Sequence, residues 1–136
     1  MNYFAGNSLT FNTNPSKVSV FFDDLNNLKF IMPEQVENWK SDENNCEFFV
    51  KNIGNLGMKK GTFVFPHQFT FISNESSRVN FVLHFHLKHN ENVENQGYFE
   101  ICAEMNPMVE MMAKRPLTNF VNILTINFQR FLTNNK

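Results

Sequence analysis

What most constrains this chain is the order in which its hydrophobic periodicities change. A strand-like segment comes first, then a short helical stretch, then about six alternating segments in a row. A single long amphipathic helix, from Pro107 to Leu132, closes the chain. Consecutive strands with short connections favour an antiparallel meander, and the last helix is then the main cover for one of its faces. A helix laid across a curved sheet tends to enclose a pocket. The expected class is therefore α+β, with an apolar cavity between helix and sheet.

Local signals place the elements. Tyr3 to Asn12 alternates and carries Thr and aromatic residues, so it is expected to be one strand. Asn14-Pro15 opens a helix, with Asn as cap and Pro at the first helical position, where its missing N–H costs nothing. Val18, Phe21, Phe22 and Leu25 share one face of it, and Asp23-Asp24 can cap a second short helix that carries Leu28, Phe30 and Ile31 and ends at Pro33. Strands are expected at Val36–Ser41, Cys46–Asn52, Met58–Phe65, Gln68–Ser73, Val79–Lys88 and Tyr98–Met105. The turns between them fall at Asp42–Asn45, Gly54–Gly57, Asn74–Ser77 and Asn90–Gly97. Pro116 should bend the last helix or split off Met108–Arg115. All 136 residues fit one domain.

Parity then decides which side chains face the helix. Phe81, Leu83, Phe85 and Leu87 share one face of their strand, opposite Val82, His84, His86 and Lys88; Phe99, Ile101, Ala103 and Met105 oppose Tyr98, Glu100, Cys102 and Glu104. Phe69 and Phe71 extend the apolar face, as do Phe63 and Phe65, and Trp39 is expected to point inward. The closing helix answers with Leu117, Phe120, Val121, Leu124, Phe128, Phe131 and Leu132 in a narrow sector. Ile126 on its polar side, with Ile123 at the margin, leaves room for a weak homodimer contact beside the monomer.

Composition excludes several classes. A net charge of −1 lacks the basic stripe that neutralises phosphates, so no nucleic-acid partner is expected. No segment is apolar over the ~18 residues of a membrane span, and Met1 to Gly6 carries no signal-peptide pattern, so the expected location is the cytoplasm. Cys46 and Cys102 lie in strand-like segments without CxxC spacing and are expected to be buried free thiols. Seventeen Phe could either wall a pocket or fill it.

No catalytic constellation emerges, and no cofactor or metal is expected. His84-x-His86 places two imidazoles on one face about 6.5–7 Å apart, a spacing that one ion could bridge. Glu100, Cys102 or Glu104 could add a third ligand, but parity turns the pair away from the Phe-lined face. His67 shares parity with Phe69 and Phe71 and is the one weak candidate for an acid or base inside the cavity. Gly54-Asn55-Leu56-Gly57 is too short for a phosphate loop. Met105, Met108, Met111 and Met112, where the last strand meets the helix, could form a flexible entrance or fill gaps.

Specific stretches carry a resemblance. They are Asn14-Pro15 at the first helix, Phe30-Ile31-Met32-Pro33-Glu34 followed by Val36-Glu37-Asn38-Trp39, and Met105-Asn106-Pro107-Met108 with Met111-Met112 and Lys114-Arg115-Pro116-Leu117. With the element order, they make the chain resemble small bacterial members of the START and birch-pollen-allergen-like superfamily (SRPBCC, polyketide cyclase-like) over essentially its whole length. The resemblance implies a helix-grip fold: a curved antiparallel sheet of about seven strands wrapped around a long C-terminal helix, with two short helices after the first strand. It also implies a deep cavity for lipids, sterols, polyketides or other hydrophobic molecules. Members that act as cyclases or hydrolases place polar groups inside it; His67, Tyr3 and Asn7 are the candidates here, and none matches a family motif.

The resulting expectation is a binding protein for a hydrophobic small molecule (lipid, polyketide or quinone-like). Phe63, Phe65, Phe69, Phe71, Phe81, Leu83, Phe85, Phe99, Ile101 and Met105 would line the sheet side, and Met108, Met112, Leu117, Phe120 and Leu124 the helix side. The alternatives are a cyclase- or aromatase-like enzyme that uses His67, and a protein-interaction module of the same fold.

Overall fold

Alternation along the middle of the chain becomes one curved antiparallel sheet. In the computed structural model, which describes residues 2–90 and 93–134, the strands are β1 (Asn2–Ala5), β2 (Leu9–Phe11), β3 (Val36–Ser41), β4 (Asn45–Val50), β5 (Gly54–Val64), β6 (Gln68–Ser73), β7 (Phe81–Asn90) and β8 (Val93–Ala103). Seven of them follow the order β1-β8-β7-β6-β5-β4-β3, and β2 also pairs with β8. Helix α1 (Pro15–Phe22) and a 3-10 helix (Leu25–Phe30) follow β2, and α2 (Pro107–Asn134) closes the fold. This is the helix-grip, α+β arrangement. No helix among the described residues is long and apolar enough to cross a membrane.

The expected first strand is two strands, because the chain passes directly beneath α2. A Cβ at Gly6 would lie 2.9 Å from both Thr125 Oγ1 and the Val121 carbonyl. Gly6 N–H donates to Phe99 O (2.8 Å), and Asn7 N–H donates to Asn122 Oδ1 (2.7 Å). The break at Gly6 to Ser8 thus follows the helix rather than the strand pattern. Thr125, fully buried, accepts from Phe99 N–H (3.0 Å) and donates to Val121 O (2.8 Å), joining α2 to β8 without an unpaired group.

Helix α1 starts as its sequence predicts: Asn14 Oδ1 accepts from Ser16 N–H (2.8 Å) and Pro15 takes the first position. Asp24 caps the 3-10 helix through Asn26 N–H (2.9 Å). The reversal between β4 and β5 comes earlier than expected, at residues 51–53. Asn52 (φ 73°) and Gly54 (φ 110°) adopt left-handed backbone there, while Gly54–Gly57 pair with β4. The turn predicted from Asn90 to Gly97 also contracts, although residues 91 and 92 lie outside the described residues. Gly97 sits within β8 opposite Leu87, and a Cβ on it would be 2.7 Å from the Phe85 ring. At both places glycine serves close packing or chain reversal inside the ladder rather than a loop.

Helix α2 runs through Pro116 as one helix, held on either side by buried Ala113 and Leu117. Its buried stripe continues through Phe120, Val121, Leu124, Thr125, Phe128 and Leu132. Phe22 of α1 occupies the centre of the core, with ring centroids 5.0–6.1 Å from Phe69, Phe71, Phe85, Phe99 and Phe128. At the β3 edge, Trp39 stacks on Phe48 (5.6 Å), and Phe48 stacks on Phe120 (5.9 Å).

Candidate ligand-binding site

The residues expected to line a cavity fall into three groups. Phe69, Phe71, Phe81, Leu83, Phe85, Phe99, Ile101, Leu117, Phe120 and Leu124 meet in the space between α2 and the sheet, each at most 5% exposed. A void large enough for a water molecule would leave accessible surface on its walls. Phe69, Phe71, Phe85 and Phe99 at 0%, and Leu117, Phe120 and Leu124 at 1%, leave no such space beside them. Phe63 and Met105 are partly buried against this core. Phe65, Met108 and Met112 are 57%, 73% and 74% exposed and stand on the surface. The reasons are local. Phe65 lies one residue beyond the end of β5, where the pleat no longer fixes its face. The first turns of α2 present Met108 and Met112 away from the core that Ala113 and Leu117 reach.

His67 is not in the interior. It is exposed in the turn of residues 65–67, where the Phe65–Pro66 peptide is cis; its N–H donates to Val64 O and its carbonyl accepts from Leu87 N–H, both at 2.8 Å. Parity with Phe69 holds only once β6 begins at Gln68. Tyr3 and Asn7 are also exposed.

A concavity does exist at the end of the helix–sheet interface, where β8 hands over to α2. It has a volume of about 570 Å³ and takes Val79, Phe81, Ala103, Met105 and Val109 as apolar walls. Ser73, Arg78, Asn80, Glu104 and Asn106 supply its polar groups. Met108, Met111 and Met112 are exposed on the same turns of α2 as Val109. Phe81 and Met105 were expected on the sheet side of an interior cavity, and here they line its end. Val79, Val109 and Arg78 were not expected: Val79 shares parity with Phe81 at the start of its predicted strand, but an arginine in a turn carries no periodic signal, and only the tertiary fold brings the three to the end of β8. The volume is within the range of about 300–1,000 Å³ typical of small-molecule sites.

A larger groove of about 910 Å³ runs along β3, β4 and the segment after β6, past Lys40, Asp42, Asn45, Glu47, Lys59, Asn74 and Ser76. Its polar groups largely satisfy one another. Asn74 Nδ2 donates to Asn45 Oδ1 (3.1 Å) and to Met58 O (3.2 Å), Ser76 Oγ donates to Asn74 Oδ1 (2.6 Å), and Lys40 lies 4.0 Å from Glu47. With both charge signs and no apolar wall of comparable extent, it selects no ligand class.

The outer sheet face carries the histidine pair. His84 Nδ1 is 2.8 Å from Thr70 Oγ1 and 2.9 Å from Gln68 Nε2, while His86 Nε2 is 3.0 Å from Glu100 Oε1. The two imidazoles therefore engage opposite neighbouring strands. Among the described residues no group of three or more His, Cys, Asp or Glu is placed to hold a metal ion. Burial, and then the adjacent His86, hold His84 below its ordinary pKa of 6.5, with Glu100 acting the other way. The folded state therefore resists protonation more than the unfolded chain does. The stability that neutral His84 confers is fully present above 6.5 and is lost as pH falls through the lower folded value. His84→Gln should accordingly flatten the decline in urea midpoint between about pH 7.5 and about pH 5.5; an unchanged slope would assign that decline to other groups.

Both cysteines are free and buried. Burial, with Asp42 nearby, pushes the Cys46 thiol up to about 12, and burial with Glu100 pushes Cys102 up to about 11. Neither is a thiolate at neutral pH, so neither is an activated nucleophile.

No protein-family model matches the chain, and no curated protein matches it in sequence. Solved structures do. XoxI from Bacillus cereus superposes with a TM-score of 0.71 at 10% identity, over 99% of this chain and 98% of that one. A conserved protein from Geobacillus kaustophilus gives 0.66 at 14%, over 99% and 97%, and a protein from Thermobifida fusca gives 0.67 at 7%, over 98% and 95%. The chain shares their fold. At these identities the likeness is one of architecture, carried by small bacterial proteins that match it nearly end to end.

Proposed function

We propose that the protein is a START-like (SRPBCC) binding protein that holds a small hydrophobic molecule, of lipid, polyketide or quinone-like character, at the mouth of the helix–sheet interface. The observation that carries this reading is the 570 Å³ groove walled by Phe81, Ala103, Met105 and Val109, at the end of an interior that aromatic rings otherwise fill. Unbranched methionines on the adjoining turns adapt to ligands of irregular shape. The closed aromatic core supplies a rigid floor, and two unpaired thiols accord with a reducing compartment such as the cytoplasm. The reading involves no catalytic step, because His67 lies outside the groove and both thiols are protonated.

Native mass spectrometry of the purified protein, followed by solvent extraction, should detect a defined apolar molecule. Val109 is 45% exposed, so Val109→Trp should lay an indole across the groove with a stability change within about 0.5 kcal/mol, as for a surface substitution. Release of the molecule by Val109→Trp, with the ligand-free variant and ligand-free wild type melting at the same temperature, supports the site. Full retention by that variant places binding elsewhere, and absence of both a co-purifying molecule and any binding of added apolar probes rejects the reading.

A further inference from the structure

The groove contains one basic group, and that group has no partner among the described residues. Arg78 is the only Lys or Arg among the groove's residues. Its backbone N–H donates to Asn55 O (2.9 Å), which ties the segment after β6 to the β4–β5 hairpin. Its aliphatic stem lies against Gly54, where a Cβ would come within 3.2 Å of Arg78 Cδ. Gly54, with φ of 110°, therefore leaves the path along which the arginine runs. Among the described residues the guanidinium makes no ion pair within 4.0 Å and no side-chain hydrogen bond. Glu104 is the only acidic residue among the groove's residues and forms no such pair with it.

We infer that Arg78 selects hydrophobic ligands that end in an anionic oxygen group, with a carboxylate as the simplest case. The inference rests on the groove being the binding site. A planar guanidinium presents paired N–H donors in a fork that matches the two oxygens of a carboxylate. Val79, Phe81, Ala103, Met105 and Val109 face a tail. Glu104 gives the arrangement a polarity, since its negative charge repels an anionic head and leaves Arg78 as the favourable end. Ser73, Asn80 and Asn106 add uncharged polar groups to the groove's wall.

Octanoate and octanol share a tail and differ in the head, so calorimetric titration of each separates the two ideas. The wild-type protein should bind octanoate about tenfold tighter than octanol, the scale of a charge-assisted pair. Arg78→Gln should weaken octanoate about tenfold and leave octanol unchanged, and Arg78→Lys, which keeps the charge but not the fork, should fall between. Raising the salt concentration should weaken octanoate alone. Equal wild-type affinity for the two probes, or an Arg78→Gln variant that loses both alike or neither, overturns the role of Arg78 while leaving the groove as the site. Binding of neither probe overturns the groove reading and this inference with it. Arg78 is exposed, and thermal melting of each variant checks that folding is unaffected.

Discussion

Phe22→Ala should destabilise the protein by about 3–5 kcal/mol, the cost of deleting a buried Phe ring whose surroundings relax only in part. For a domain of this size that corresponds to a fall in melting temperature of about 10–20 °C. The expectation is at the upper end because of where the ring sits. Phe22 is fully buried and has six Phe rings within 6.1 Å, Phe21 of its own helix and five drawn from β6, β7, β8 and α2. No single neighbour can move into the space without leaving its own partners. Phe85, for example, is also held by Phe11, Phe99 and Phe128. Phe22→Leu retains most of the volume and should cost less than about 1.5 kcal/mol. Equilibrium urea unfolding of both variants checks the order; equal losses would mean that α1 is not the plug of the core.

How much of this was legible beforehand depends on the kind of signal. The Asn14-Pro15 start of α1 and the parity of β7 and β8 rest on local chemistry and pleat geometry, and both hold in the fold. Positions where tertiary contact overrides the local pattern are another matter. Gly6 breaks a strand because α2 passes so close that a Cβ there would lie 2.9 Å from it, and Gly97 looks like a turn residue but is needed beneath the Phe85 ring. Phe65 and His67 were assigned a face by extending strand parity into a turn that no longer obeys it. The largest ambiguity was whether the Phe residues wall a cavity or fill it. Phe22 decides that, and its helical stripe reports only that it is buried, not that it stands between α2 and the sheet. The groove was hidden for the same reason: Arg78 comes from the segment after β6, Phe81, Ala103 and Val109 come from three separate elements, and the four meet only through the fold.

Phe120→Ala tests the filled interior from the other side. The ring is 1% exposed and forms the inner end of a stack that runs from Trp39 through Phe48, joining edge strand β3 to α2. Its removal should cost about 3–5 kcal/mol. Trp39 is only partly buried and could slide inward, which would place the value toward the lower figure. The space left is walled by apolar groups and should stay dry, so benzene should enter it and raise the melting temperature of the variant in proportion to its occupancy. Benzene should not raise that of the wild type, whose interior has no room for it. A benzene-dependent rise in both proteins would mean that the helix–sheet interior already opens, and binding would then belong to the core rather than to its mouth. The groove at Val109 is formed by different residues, so octanoate should bind wild type and Phe120→Ala alike. A variant that gains benzene while keeping octanoate would separate two volumes, one closed by Phe rings and one left open where β8 becomes α2.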